Sequence, residues 1–478
     1  MARDHDHNPH QQDHTAINRP SLPPVVVVMV PFPAHSHLNQ LLQLSHIISS
    51  HNIKVHYVGS ALHNSQVKSR ATRILNPERI EFHDFPTPRF LSPSPNNIKF
   101  PSHQMPSFEA TVNNLRQPVK SLLTSVSETA RRVVVIHDLL TSSAVQDATS
   151  LPDTEAYIFN SISAISKFAF LRDVMGFKAG DHPEIPLYED DCHCVEFEAF
   201  LAYQFQFVTS NKSGHLYNTS RLLESNFLDL IQEIERETNP NMKLWAIGPL
   251  ETVTIFKQIS NSSSRKQKDC LEWLDKHKPN SVLYVSFGTT TFMEDEQIRE
   301  LALGLEQSDV KFLWVLRDAD KGNVFDEVRR PQLPDGFEER AKEKGMVVRD
   351  WAPQLEILGH SSTGGFMSHC GWNSCLESIS LGVPIAAWPL HSDQPLNAVL
   401  ITELLKVGVA VRNWAQSDGL VSSSAIRDAV KRLMDSKEGD EVRNRAEKLG
   451  CELRKSAVEG GVSDHHMGLD SFVAHITR

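Results

Sequence analysis

The sequence predicts an α/β protein built of two doubly wound domains that face each other. At 478 residues the chain is too long for one compact core, so two domains are expected. Short β-branched runs alternate with helix-like segments, which is typical of parallel sheets buried on both faces. The polar stretch Asn261–Lys266 interrupts this alternation, which then restarts, so each half is expected to form its own sheet.

The first half begins with the apolar run Val25–Val30, which predicts a buried strand followed by a turn and a helix over His37–Ser49. Pro86–Pro106 is rich in Pro, Ser and Asn and predicts a long loop over a surface cleft. Further strands of this half are predicted at Ile53–Val58, Val133–Ile136 and Ala156–Phe159.

The second half repeats the pattern. Its strands are predicted at Val282–Phe287, Lys311–Leu316, Met346–Val348 and Pro384–Trp388, with a helix over Glu294–Glu306 and helical sequence from Ser424 onward. The resulting boundaries are a disordered tail over 1–20, an N-terminal domain over 21–250, a linker over 251–268, a C-terminal domain over 269–455 and a final helix over 456–478 that packs back on the N-terminal domain. In such sheets ligands bind at the carboxyl ends of the strands.

Charge and composition narrow the class of partner. The formal net charge of -11 argues against nucleic acid, because its phosphates are bound by basic surfaces. No segment has the roughly 18–20 consecutive apolar residues that a membrane span requires. The tail lacks the apolar stretch of a signal peptide and the cysteines are scattered, so we expect reduced thiols and a cytoplasmic protein. We also expect a monomer. We expect the tail to be disordered, and the less favoured alternative is that it binds a metal ion through His5, His7, His10 and His14.

The segment Trp351–Gln394 is the richest in groups that suit a nucleotide sugar. Gly371 precedes the helical stretch Trp372–Ser380, and a helix N-terminus of this kind binds anions through its free N–H groups and its dipole. Glu377 lies one turn into that helix and could accept hydrogen bonds from ribose hydroxyls. Trp351 offers a flat face on which a base could stack. Hydrogen bonds to phosphate could come from His369, Asn373 and Ser374. Hydrogen bonds to sugar hydroxyls could come from Asp393 and Gln394.

From Trp351 to Gln394 the sequence resembles, without a gap, the signature box of plant UDP-dependent glycosyltransferases of family 1. Further landmarks of that family lie at Trp245–Pro249, Cys270–Leu274 and Tyr284–Thr289. The resemblance implies the GT-B fold, in which two Rossmann-like domains face each other across an interdomain cleft. It also implies a UDP-sugar donor as co-substrate, with no cofactor and no metal.

The same resemblance implies a role for each matching position. Trp351 would stack on uracil, and Gln354 and Glu377 would hold the ribose. Gln394 favours UDP-glucose in this family, with UDP-xylose as the alternative donor. The diphosphate would be surrounded by Ser286, His369, Asn373 and Ser374, the sugar would be held by Asp393 and Gln394, and Ala352 and Trp372 complete the predicted donor site.

Transfer to an acceptor hydroxyl requires a base, since a neutral alcohol is a poor nucleophile. The turn after the first strand reads His35-Ser36-His37 where the family usually reads Gln-Gly-His, so the match makes His37 the base and His35 a minor rival. A histidine base needs an orienting carboxylate. Asp138 matches the family's partner aspartate, with a helix cap as its alternative role. The implied mechanism is a single in-line displacement that inverts the anomeric carbon.

The N-terminal half is most similar to the zeatin O-glycosyltransferase group of this family. The resemblance implies a small hydroxylated acceptor, the side-chain hydroxyl of a zeatin-type cytokinin. Flavonoids, other phenolics and terpenoid alcohols are the alternative acceptors. Gln40 is notable because proline commonly occupies this position in other branches. The supporting segments are Pro31–Ala34, His37–Leu42, His56–Ser60 and His137–Ser143.

Two other classes of protein compete with a glycosyltransferase. A dinucleotide oxidoreductase is expected to carry Gly-x-Gly-x-x-Gly after its first strand, and Val25–Leu44 contains no glycine. A non-catalytic UDP-sugar-binding protein is expected to keep the donor segment and to lose the His/Asp pair, whereas this chain has both.

Overall fold

The computed structural model describes residues 25–70, 77–93, 99–175, 193–208, 213–250, 265–289, 291–317, 331–412, 419–458 and 464–478. The N-terminal tail, with its four candidate metal-binding histidines, and most of the predicted linker lie outside these residues. Two parallel β-sheets organise the described chain, one in each half.

The N-terminal half contains a seven-stranded sheet in the order β3-β2-β1-β4-β5-β6-β7. Its strands are β1 (Val26–Val30), β2 (Lys54–Ser60), β3 (Ile80–Phe85), β4 (Val133–Asp138), β5 (Thr154–Asn160), β6 (Gly214–Tyr217) and β7 (Leu244–Ala246). The strand order reverses between β1 and β4, and this reversal opens a crevice at their carboxyl ends. The helices of this half are α1 (His35–Ser50), α2 (Ala61–Arg70), α3 (Met105–Ser127), α4 (Ala164–Met175), α5 (Val195–Phe205) and α6 (Arg221–Thr238).

The C-terminal half contains a six-stranded sheet in the order β10-β9-β8-β11-β12-β13. Its strands are β8 (Val282–Ser286), β9 (Lys311–Val315), β10 (Gly345–Val348), β11 (Thr363–Ser368), β12 (Ile385–Ala387) and β13 (Gly408–Ala410). Its helices are α7 (Arg265–Leu274), α8 (Asp295–Ser308), α9 (Phe337–Ala341), α10 (Gln354–Leu358), α11 (Trp372–Leu381), α12 (Gln394–Val399), α13 (Ser423–Met434), α14 (Lys437–Val458) and α15 (Asp464–Thr477).

Strand β1 shows why the unbroken apolar run forms the centre of a doubly wound sheet. Val27 and Met29 pack on one face, in the same cluster as residues of α1. Val26, Val28 and Val30 pack on the other face, in a cluster with residues of α3. Because both faces of the strand are covered, every position of the run is apolar.

The last helix, α15, returns to the N-terminal half. Leu469, Phe472 and Ile476 belong to the hydrophobic cluster that also contains Trp245. The ring of Phe472 meets the ring of Trp245 edge-on, with their centroids 5.3 Å apart. The chain therefore crosses between the two halves a second time and holds them together.

Some element bounds differ from the sequence-based expectation. Helix α1 begins at His35 rather than at His37, so both histidines of the turn lie in its first turn. Helix α7 begins at Arg265, inside the stretch predicted as linker, since its Arg, Lys and Gln residues are good helix formers. In the described chain, none of the helices has the length and apolar content needed to cross a lipid bilayer.

Candidate active site

A cavity of about 380 Å³ lies between the two sheets, where the carboxyl ends of their central strands face each other. Asp138 ends β4 and Ser286 ends β8, and both line this cavity. The structure brings every predicted site residue to it, namely His37, Asp138, Ser286, Trp351, Ala352, Gln354, His369, Trp372, Asn373, Ser374, Glu377, Asp393 and Gln394.

His37 and Asp138 form the polar centre of the N-terminal wall. His37 Nδ1 lies 2.7 Å from Asp138 Oδ2. Strand β1 pairs with β4 so that Val30 is opposite His137, which brings the start of α1 beside the end of β4. Since Nδ1 faces the carboxylate, Nε2 is the ring nitrogen on the side away from Asp138.

Asp138 is buried, and its carboxylate is well supplied with donors. The backbone N–H of Leu140 donates to Oδ1 over 2.9 Å, and the hydroxyl of Ser161 donates to Oδ2 over 2.7 Å. Burial alone would raise the pKa of Asp138, but the charge of His37 and these hydrogen bonds outweigh it, so the pKa is lowered. The group is therefore an ionised carboxylate that can orient an imidazole and stabilise its protonated form.

His35, the rival base, has different neighbours. Its ring meets the ring of Trp351 with centroids 5.4 Å apart and an interplanar angle of 61°. The carboxylate of Asp138 pairs with His37 instead. The geometry thus favours His37 over His35 as a proton acceptor.

On the opposite wall, the N-terminus of α11 opens into the cavity. Gly371 is its N-cap residue, and no side chain caps this end, so its first N–H groups are left for a ligand. The ring of His369 packs directly on Gly371 and Gly288, where a larger residue would collide with it. A Cβ added at Gly371 would lie 2.5 Å from Nε2 of His369, and a Cβ added at Gly288 would lie 2.8 Å from the same atom. Burial lowers the pKa of His369 to about 4, so near neutral pH its imidazole acts as an uncharged hydrogen-bonding group.

A linked set of polar side chains lines the part of the cavity predicted to hold the ribose. Gln354 Nε2 donates to Glu377 Oε2 over 2.6 Å and lies 3.2 Å from Ser374 Oγ. The hydroxyl of Tyr284 donates to Gln354 Oε1 over 3.2 Å. Trp351 is 43% exposed, and the guanidinium of Arg317 lies 5.5 Å from its ring centroid.

At the start of α12, Asp393 and Gln394 are held by their own loop. Gln394 Oε1 accepts hydrogen bonds from the backbone N–H groups of Leu390 and His391, over 2.9 Å and 3.1 Å. Asn397 Nδ2 donates to Asp393 Oδ2 over 2.9 Å. Burial raises the pKa of Asp393 above its ordinary value.

Trp372 has a structural task besides lining the cavity. Its indole N–H donates to the backbone carbonyl of Asn218 over 2.9 Å, so it ties α11 to the N-terminal half. Asn373 also reaches across, since its Nδ2 donates to the carbonyl of Ser36 over 3.2 Å. The donor wall and the wall with the histidine are therefore docked on each other.

The remaining wall is aromatic, and sequence reasoning did not identify it. One signal was present, because Phe197, Leu201 and Phe205 recur every four residues and share one face of α5. The other rings come from separate elements and could not be grouped without the fold. Phe100 stacks on His391 of the opposite half, with centroids 3.7 Å apart. The phenylalanines that line the cavity are Phe32, Phe100, Phe108, Phe159, Phe170, Phe197 and Phe205.

One group of potential metal ligands occurs among the described residues, formed by His56, Glu81 and His83 on β2 and β3. The two histidines hydrogen-bond to each other over 2.7 Å, and Lys54 lies 2.7 Å from Glu81. None of these residues lines the cavity between the sheets.

Family models match both halves of the chain. A glycosyltransferase N-terminal domain matches residues 23–252, and a UDP-glucuronosyl and UDP-glucosyl transferase model matches residues 241–443. The chain is 51% identical to a zeatin O-glucosyltransferase of Phaseolus lunatus, over 97% of this chain and all of that protein. It is also 51% identical to a zeatin O-xylosyltransferase of Phaseolus vulgaris, over 95% of this chain and 98% of that protein.

Solved structures agree with the fold. A glycosyltransferase of Siraitia grosvenorii in complex with UDP matches 95% of this chain and all of its own, with a TM-score of 0.73 and 29% identity. UGT2 of Phytolacca americana, complexed with UDP-2-fluoro-glucose and pterostilbene, covers the same shares with a TM-score of 0.73 and 26% identity. The predicted GT-B fold is confirmed, and the chain belongs to the UDP-dependent glycosyltransferase family.

Proposed function

We propose that this enzyme moves glucose from UDP-glucose to the side-chain hydroxyl of a zeatin-type cytokinin and inverts the anomeric carbon. The observation that carries the proposal is a single cavity that unites the His37–Asp138 pair, an aromatic wall and the donor segment. The two Phaseolus relatives, each 51% identical to this chain, are named for the glycosylation of zeatin.

The base is His37. Its Nε2 takes the proton of the acceptor hydroxyl as the oxygen attacks the anomeric carbon and the bond to the diphosphate breaks. Asp138 holds Nδ1–H over 2.7 Å and stabilises the imidazolium that forms. General-base assistance of this kind contributes roughly 10²–10⁴-fold to a rate.

The donor is held by the C-terminal wall. The N-terminus of α11, with the side chains of His369, Asn373 and Ser374, is proposed to stabilise the charge that develops on the leaving diphosphate. Gln354 and Glu377 are already paired and suit the two ribose hydroxyls, while Trp351 supplies a face for uracil. Ser286, Ala352 and Trp372 enclose this part of the donor, and Asp393 and Gln394 face the sugar.

This arrangement is proposed to work without a metal ion. The hydrogen-bond donors at the start of α11 supply the stabilisation that a cation would otherwise provide. Treatment of the purified enzyme with EDTA is therefore expected to leave the transfer rate unchanged. A loss of rate that Mg²⁺ restores would contradict the proposal.

The acceptor is proposed to bind against the aromatic wall. A purine with an isoprenoid chain is flat and largely apolar, so stacking on phenylalanine rings suits it. Phe32 and Phe108 lie next to the catalytic pair, since the rings of Phe32 and His37 are 5.3 Å apart and those of Phe32 and Phe108 are 4.5 Å apart. A hydroxyl at the end of the apolar chain would then reach His37.

UDP-xylose is a second candidate donor. It is favoured by the xylosyltransferase relative, which is as similar to this chain as the glucosyltransferase relative. Glucose is preferred in the proposal because Gln394 is the residue linked to glucose in this family.

The decisive experiment crosses two donors with a panel of acceptors. The purified enzyme is incubated with UDP-glucose or UDP-xylose and with trans-zeatin, cis-zeatin, a flavonol or a terpenoid alcohol, and products are identified by mass spectrometry. O-glucosylzeatin is expected as the main product. Glucosylation of the flavonol alone would overturn the cytokinin acceptor but leave the enzyme class, and preferential use of UDP-xylose would overturn the donor.

We also propose a cytoplasmic location. Its support is that the cysteines in the described ranges are free thiols, namely Cys194, Cys270, Cys370, Cys375 and Cys451.

A further inference from the structure

Gln40 lies one turn after His37 on α1 and contacts both halves of the molecule. Its side chain is buried and makes polar contacts in three directions. Gln40 Nε2 donates to the carbonyl of Ser161 over 3.0 Å and to Asn373 Oδ1 over 2.6 Å. Gln40 Oε1 accepts from Asn218 Nδ2 over 3.0 Å. A buried amide of this kind is stabilising only if both its ends are satisfied.

The directions of these hydrogen bonds are fixed from one end by a backbone N–H. The N–H of Leu250 donates to Asn218 Oδ1 over 3.0 Å, and a backbone N–H can only donate. Asn218 must therefore present its Nδ2 to Gln40, and Gln40 must receive it with Oε1. The orientation of both amides follows, although oxygen and nitrogen have nearly the same shape.

The other end is fixed by a backbone carbonyl. Ser161 accepts through its carbonyl oxygen, which can only accept, so the group that Gln40 turns toward it must be Nε2. The same Nε2 also donates to Asn373, so Asn373 must turn its Oδ1 toward Gln40. The Nδ2 group of Asn373 is then on the other side, where it donates to the carbonyl of Ser36 over 3.2 Å. Since an amide nitrogen carries two hydrogens, the second is left for a ligand in the cavity, which Asn373 lines at the start of α11.

We infer that Gln40 is a positioning residue that, together with the carbonyl of Ser36, holds Asn373 as a hydrogen-bond donor toward the diphosphate of the UDP-sugar. A reversed carboxamide would present an oxygen to an anion and repel it, whereas an N–H₂ group forms a strong charge-assisted hydrogen bond. The inference rests on the donor site proposed above.

The same residue connects the donor to the base. Ser161 accepts from Gln40 through its carbonyl and donates through its hydroxyl to Asp138, which pairs with His37. One continuous set of hydrogen bonds thus runs from the catalytic pair, through Ser161 and Gln40, to Asn373. Gln40 therefore sets the position of the donor site relative to the catalytic pair.

The test replaces Gln40 without changing its size. In Gln40→Met the amide is lost but the volume is nearly kept, so Asn373 is held only by its hydrogen bond to the carbonyl of Ser36. The Kd of UDP is expected to rise about fivefold, as for the loss of one buried hydrogen bond. In Gln40→Glu a carboxylate oxygen faces Asn373 Oδ1, and this repulsion favours the reversed amide over the hydrogen bond to Ser36, so the rise is expected to be larger. Both are measured by isothermal titration calorimetry.

Two controls separate positioning from damage to the fold. Uridine lacks the phosphates, so its affinity, measured by NMR titration, is expected to stay within about twofold in both variants, whereas general destabilisation would weaken uridine and UDP alike. Gln43→Glu makes the same chemical change one turn later on α1 and is expected to leave the Kd of UDP unchanged.

The outcome for Gln40→Met decides the inference even if Gln40→Glu does not fold. A Kd of UDP equal to that of the unaltered protein would overturn it, and so would parallel losses for UDP and uridine. No acceptor is used, so the result is independent of the cytokinin proposal. If the unaltered protein failed to bind UDP, the proposed donor site would fall instead.

Discussion

At the residue scale, the catalytic pair is assembled by strand register. His37 and Asp138 are 101 positions apart in the chain. They meet because β1 and β4 are adjacent parallel strands whose carboxyl ends coincide. The pair has a third member, since the hydroxyl of Ser161 at the end of β5 also donates to Asp138. Three neighbouring strands thus each contribute, directly or through the following turn, to the placement of one proton.

Replacement of His37 by alanine is expected to remove the general base while the donor site stays intact. The rate of transfer from UDP-glucose should fall by roughly 10²–10⁴-fold. The Kd of UDP, measured by calorimetry, should change little, since the groups proposed to bind UDP lie on the opposite wall. The matched control is His35→Ala, two positions earlier, which should retain most of the activity. Full activity of His37→Ala would refute the assignment, and a large loss confined to His35→Ala would transfer the role to His35.

The predictability of the site differs between its two walls for a physical reason. All the predicted donor residues except Ser286 occur in one continuous segment, Trp351–Gln394, which shows a helix N-terminus with suitable groups around it and also carries the resemblance to the family. The aromatic wall is contributed by loops and helices far apart in sequence, such as Phe32, Phe108 and Phe197, and single phenylalanines carry no sign of where they point. The role of Gln40 was also out of reach, because its contacts depend on how the two halves dock.

At the element scale, apolar content rather than length decides which strands could be predicted. β1 is a five-residue apolar run, and the burial of both its faces made it easy to recognise. β12 has only three residues but lies in the apolar stretch Pro384–Trp388 and could be predicted. β3 and β11 have six residues each but were missed, because charged residues interrupt β3 and two glycines interrupt β11. The three-residue strands β7 and β13 were missed as well. Helix α7 was missed at its start, because a polar helix of this kind resembles a linker in composition.

Helix α15 allows a stability prediction at this scale. Phe472 is fully buried, and its ring contacts those of Tyr157 and Trp245 at centroid distances of 5.3 Å in each case. Phe472→Ala is expected to lower the free energy of unfolding by about 3–5 kcal/mol, because it leaves a cavity among these rings. Urea denaturation measures the change. Ala474→Ser, at an exposed position of the same helix, is the control and should shift it by less than about 0.5 kcal/mol. Equal stability of the two variants would show that α15 is not firmly docked.

At the scale of the whole molecule, buried histidines dominate the expected response to acid. Burial is the largest cause in each case and lowers the pKa to about 4 at His46, His63, His103, His137 and His369. They are distributed over both halves, so their effect is felt by the fold as a whole. In the unfolded chain the same side chains have an ordinary pKa near 6.5.

Between about pH 6.5 and 4 the unfolded chain binds more protons than the folded protein, so acid favours unfolding. Each such histidine lowers the free energy of unfolding by up to about 1.4 kcal/mol per pH unit in this window and has no effect above it. The Tm, measured by calorimetry, should therefore be flat from pH 8 to 7 and fall steeply toward pH 5.

Carboxylates that lose their partners in acid act in the same direction, so a pair of variants on α1 isolates the histidine contribution. His46→Leu removes a buried imidazole and should make the fall shallower, whereas His51→Leu, at the exposed end of that helix, should leave the slope as it is. Identical slopes for His46→Leu and the unaltered protein would show that buried histidines do not set the acid response.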